Sequence, residues 1–127
     1  MIGHILHRVR RHTISFAHAF AGLWYVFRTQ PNYTVHGLSA VAVIWLGWFV
    51  KVSEVEWLIL VFTIAMVFTA EMINTAIESV CDLVTHEWHQ EAKIAKDVSA
   101  AMVLTAAVSS VVVGLVIFTK YLSVFFS

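Results

Sequence analysis

Four polar side chains interrupt an otherwise apolar stretch of this sequence: Glu71, Asn74, Glu78 and Asp82. On a helix, at about 100° per residue, they project at roughly 0, 300, 340 and 20 degrees and form one narrow stripe. Val67, Phe68 and Ala70 precede the stripe, while Ile73, Ala76 and Ile77 keep the other faces apolar. A carboxylate costs about 2.5–3.5 kcal/mol at the centre of a bilayer and less near its edge, so function is the default explanation. Carboxylates grouped on one helix hold a divalent cation, move protons or line an ion path. Hard oxygen ligands suit Mg²⁺, which takes one or two carboxylates and completes its shell with substrate phosphates. Farther along, Lys96 adjoins Asp97. A lysine neutralises a transferring phosphoryl group, whereas Asp97 also suits the N-cap of a following helix. His89, taken alone, reads as an ordinary loop histidine.

Composition says what must position these groups. The chain has 127 residues, of which 60% are hydrophobic and 13% charged, with zero formal net charge. Its mean hydropathy of +0.82 is too high for a soluble domain of this size. Neutral charge gives no footprint for nucleic acid. The single cysteine, Cys81, cannot form an internal disulfide or a two-cysteine zinc site. The basic, interrupted start does not read as a cleavable signal peptide. Uncharged runs at 29–50 and 98–119, and an apolar run at 57–70, are membrane spans by length.

The expected architecture is an all-α membrane protein: a surface helix over about 4–29, then spans over about 31–50, 55–83 and 97–120. Pro31 suits the first turn of span one. In the first segment Leu6, Val9, Phe16, Phe20, Leu23 and Phe27 share a face, as in a helix lying in the membrane interface. With three spans, Arg8, Arg10, Arg11, Arg28, Lys93 and Lys96 lie on one side and Lys51 and Lys120 on the other. The positive-inside rule puts the first side, including the N-terminus and the 84–97 loop, in the cytoplasm. The stripe then ends span two on the ATP side. Rows of small residues in span three (Ala101, Thr105, Ser109; Ala106, Ser110, Gly114) are a packing signal.

The five scattered glycines form neither GxxxxGK[ST] nor GxGxxG, so a phosphate site here is built from side chains. No serine or cysteine stands in a nucleophile setting. A small ion- or proton-conducting subunit is the rival reading of the stripe, but residues 57–70 offer it little beyond Thr63 and Thr69. A purely structural assembly protein leaves the stripe unexplained.

Taken together, Glu71-Met-Ile-Asn74-Thr-Ala-Ile-Glu78-Ser-Val-Cys-Asp82, His89 and Ala95-Lys96-Asp97 resemble the signature of prokaryotic diacylglycerol kinases and undecaprenol kinases, with intervals of +3, +4, +4, +7, +7 and +1. Phe16 to Phe20 with Gly22, and Asn32 with His36, look like the N-terminal half of the undecaprenol-kinase branch. The resemblance implies a homotrimeric bundle in a bacterial plasma (inner) membrane, with active sites between subunits. ATP would donate its γ-phosphate to the hydroxyl of a membrane lipid, undecaprenol or diacylglycerol, with Mg²⁺ required. By position, Glu71 would be the catalytic base and Glu78 a metal ligand. Asn74, Lys96 and Asp97 would surround the phosphates. Glu87, Trp88 and His89 would lie near the nucleotide, with Arg11 and His18 approaching from the surface helix. Asp82 would be a supporting residue, and Asn32 and His36 would face the lipid. One departure stands out: Gln30 occupies the place of a second metal-binding glutamate, and a neutral amide oxygen is a weaker ligand than a carboxylate. Thr34 likewise stands where many relatives carry arginine. No acid before Glu54 substitutes.

Overall fold

Backbone chemistry at three short breaks divides the chain into four helices. The computed structural model describes the backbone of residues 2–122 and the side chains of residues 16–122. Helix α1 (Ile2–Thr29) is separated from α2 (Pro31–Val50) by one residue. Proline disfavours helical geometry in the residue before it, and Gln30 is extended at φ -106°, ψ 107°. Pro31 then opens α2, where its missing N–H costs nothing. At the far end of α2, Lys51 turns into the left-handed region at φ 56°. The Val52 N–H donates to the Gly47 carbonyl at 3.0 Å and the Lys51 N–H to Trp48 at 3.3 Å, closing a Schellman turn. Val52 is thereby delivered into an apolar cluster with Leu60 and Ile117.

Helix α3 (Glu54–Val84) starts from a capping box. The Ser53 hydroxyl accepts from the Glu56 N–H, and the Glu56 carboxylate accepts from the Ser53 N–H at 2.8 Å. Helix α4 runs from Gln90 to Leu122. Its start lies well before position 97, because residues 91–96 contain no Gly or Pro and are mostly strong helix formers. Asp97 is therefore not an N-cap. It lies inside the helix, paired with Lys93 one turn earlier.

Helices α3 and α4 form the principal packing pair. Asp82 meets Lys96, Asn74 meets Ser99, and Glu56 meets Lys120 and Tyr121, so the two helices run antiparallel and in register along their length. The polarity of the fold is inverted relative to a soluble protein. Among the described residues the most completely buried side chains are Glu71 and Ser99, while Leu58, Phe62, Trp48 and Val116 face outward. An exterior of this kind is stable in hydrocarbon, and α2, α3 and α4 are each long and apolar enough to cross a membrane. The 31 residues of α3 extend about 46 Å, well beyond an apolar layer of about 30 Å. The stripe end of the α3–α4 hairpin thus has room to stand clear of the acyl chains.

Candidate active site

Helical periodicity carries Glu71, Asn74 and Glu78 to the side of α3 that faces α2 and α4. There they line a recess of about 350 Å³ with Asn32 and His36 from α2 and Val103, Leu104 and Ala107 from α4. Glu71 is only 1% exposed. Its Oε1 atom has no hydrogen-bond partner among the described residues. His36 Nε2 approaches that oxygen to 3.4 Å, close for a charge contact but outside hydrogen-bond geometry. A buried carboxylate oxygen without a donor marks a candidate functional group.

The next turn of the stripe is ordered differently. The Asn74 amide donates to Glu78 Oε1 at 3.1 Å. Its oxygen accepts from the Ser99 hydroxyl of α4 at 2.7 Å. Glu78, whose carboxylate only accepts, keeps the amide nitrogen turned towards it, and Ser99, whose hydroxyl also lies 3.0 Å from the Lys96 carbonyl, ties the amide to α4. Glu78 retains accepting capacity after receiving this bond. No group of three or more His, Cys, Asp or Glu side chains converges among the described residues. A divalent ion at Glu78 would therefore draw further ligands from a bound phosphate chain, as Mg²⁺ commonly does.

A second recess, of about 340 Å³, lies at the α3–α4 turn and is lined by Asp82, Glu87, Trp88, His89, Lys96 and Asp97 among others. Lys96 Nζ lies 2.6 Å from Asp82 Oδ1. The Thr85 hydroxyl accepts from the Glu87 N–H at 3.1 Å and shapes the turn. The stripe is therefore split: its first three members face the buried recess, and Asp82 faces the exposed one. Gln30 and His18 line neither recess. Arg11 lies in α1 outside the residues whose side chains are described.

Two features escape a reading by residue type. Ser99 resembles the other hydroxyl residues of α4, and only its place three residues after Lys96 hinted at the stripe. Glu56, 7% exposed, is the other. It accepts from the Tyr121 hydroxyl at 2.6 Å, pairs with Lys120 and caps α3. A conducting path finds no support along α3, where the Thr63 hydroxyl is returned to the Ile59 carbonyl of its own helix at 2.7 Å.

Three membrane-spanning helices with an acidic recess between them define a small integral-membrane protein that carries a polar site. The sequence profile of the prokaryotic diacylglycerol kinase family matches residues 17–118. The chain is 43% identical over 104 residues to the undecaprenol kinase of Bacillus subtilis (strain 168), covering 82% of this chain and 85% of that one. It is 42% identical over 102 residues to a diacylglycerol kinase of Synechocystis, covering 80% of this chain and 58% of that one. To the Escherichia coli K12 diacylglycerol kinase the identity is 24% over 95 residues, covering 75% and 78%. The chain belongs to the prokaryotic diacylglycerol kinase family, and it is a lipid kinase.

Proposed function

We propose that this kinase transfers the γ-phosphoryl group of ATP to the primary hydroxyl of undecaprenol, with Glu71 as the base. The observation that carries the mechanism is the buried Glu71 carboxylate with its unpartnered oxygen, in a recess that also holds Asn74 and Glu78. The undecaprenol assignment rests on Asn32 and His36 and on the likeness to the Bacillus undecaprenol kinase. Diacylglycerol is the second reading, favoured by the nearly equal identity to the Synechocystis enzyme.

In this mechanism the lipid hydroxyl enters the recess from the apolar side, past Val103 and Leu104. Glu71 takes its proton as the new P–O bond forms and the bond to the ADP oxygen breaks. Asn74 holds Glu78 in place, and Glu78 with the ATP phosphates would bind Mg²⁺, which neutralises phosphate charge when present. Lys96 exchanges its contact with Asp82 for the polyphosphate. Asp97, Glu87, Trp88 and His89 surround the nucleotide, with Arg11 and His18 covering it from α1. In this reading α1 lies along the cytoplasmic face of the plasma membrane, with the N-terminus inside. Three copies form a homotrimer that shares sites across its interfaces; the exposed position of Asn32 at the polar rim of the recess is compatible with a contribution from a neighbour.

The test is phosphorylation by radiolabelled ATP, with the purified protein presented with undecaprenol, diacylglycerol and ceramide in mixed micelles. Preferred turnover of undecaprenol is expected. Preferred turnover of diacylglycerol overturns the lipid assignment. Near-normal turnover by Glu71→Gln sinks the assignment of the base.

A further inference from the structure

Glu71 poses a problem that its burial creates. A base that takes a proton in each turnover must lose it before the next. With 1% exposure, it has almost no direct contact with solvent. Within 4 Å of its carboxylate, His36 is the one basic side chain among the described residues. The geometry points to His36 as a positioning residue that acts through Glu71: it aims Oε1 at the lipid hydroxyl and then carries the proton out.

The arrangement fits both tasks. His36 is on α2 and Glu71 on α3, so the pair joins two helices across the recess. The imidazole is 20% exposed, and so reaches the surface of the chain, which Glu71 barely touches. The two nitrogens of an imidazole let it accept a proton at one face and release one at the other. A gap of 3.4 Å is of the length often seen before substrate is bound, and it tightens in the reacting complex. The other ionisable group lining this recess is Glu78 on α3; α4 contributes Ala100, Val103, Leu104 and Ala107, none of which ionises.

The proton balance is simple. The lipid O–H bond breaks and its oxygen binds phosphorus. The proton goes first to Glu71 and then to neutral His36 at Nε2. Imidazolium beside carboxylate is then the pair left in the recess, and release to water restores the starting state. After the transfer, Nε2–H of the imidazolium faces the Glu71 carboxylate and orients it until the proton is released.

This inference rests on Glu71 being the base, and the experiment separates the two. Glu71→Gln, His36→Gln and His36→Ala are purified, and kcat and KM for both substrates are measured across pH, with and without added imidazole. Loss of the relay should lower kcat in both His36 variants by about 10- to 100-fold, within the range typical of positioned proton transfer. The KM for ATP should be unchanged. One ionisation should vanish from the kcat–pH profile in His36→Gln, and imidazole should restore part of the His36→Ala rate. A spacer role for His36 is shown instead if the profile keeps its shape and imidazole has no effect, and the relay is then wrong. If Glu71→Gln turns over normally, the base assignment fails first and takes the relay with it.

Discussion

The Ser99 hydroxyl of α4 donates to the amide oxygen of Asn74 on α3 at 2.7 Å, 25 residues away in sequence. This bond ties to α4 an amide whose nitrogen holds Glu78. Ser99→Ala leaves a buried acceptor unsatisfied, a cost of about 1–3 kcal/mol in stability. It also releases the amide, and with it Glu78, from α4. We expect kcat to fall about tenfold, equivalent to about 1.4 kcal/mol of barrier, and Ser99→Thr to recover most of it. Unaltered kcat in Ser99→Ala would show that Glu78 is held by other means.

Lys96 and Asp82 make an exposed pair, and exposed pairs contribute little to folding. Their effect should appear in nucleotide binding. Lys96→Met should raise the KM for ATP about 10-fold or more through loss of a charge contact to phosphate. Asp82→Asn frees the lysine and should lower the KM for ATP, with thermal stability barely moved. A steady-state titration with ATP distinguishes these outcomes, and an Asp82→Asn variant that binds ATP more weakly would assign Asp82 to the nucleotide itself.

Gln30 is the N-cap residue of α2 and makes no side-chain capping bond. If its amide stands at the metal in the assembled enzyme, Gln30→Glu adds a carboxylate ligand there. The Mg²⁺ concentration for half-maximal activity should then drop. An unchanged or raised requirement would separate Gln30 from the metal.

Glu56 ties the first turn of α3 to the last turn of α4 through Lys120 and Tyr121. It lies at the opposite end of the hairpin from the acidic recess. Tyr121→Phe and Glu56→Gln should therefore lower the thermal midpoint in detergent while kcat at low temperature stays within about twofold of the wild type. A kcat loss larger than the stability loss explains would connect the two ends.

Much of this was legible before any coordinates, because membrane helices are written in long uncharged runs. The placement of the four stripe residues on α3 follows from periodicity alone. What periodicity cannot give is depth within the bundle. It does not distinguish Glu71, almost wholly buried, from Asp82, on the exposed side of the same stripe. Nor does hydropathy locate the start of α4, because the charged turns before the membrane are helical too. Ser99 and Glu56 are illegible in the sequence for a related reason: their roles depend on partners far away along the chain.

The rim of the buried recess has a consequence for how the enzyme meets its substrate. Val35 and Leu104 line that recess and are well exposed, so its edge continues the apolar outer surface of α2 and α4. In the proposed mechanism a lipid would reach Glu71 by sliding sideways, without leaving the sheet of molecules in which it diffuses. The quantity that sets its encounter rate is then a mole fraction per area of membrane. Diluting the lipid with inert amphiphile should slow the enzyme at a constant bulk amount, whereas diluting the whole suspension with water at constant ATP should leave the rate per enzyme unchanged.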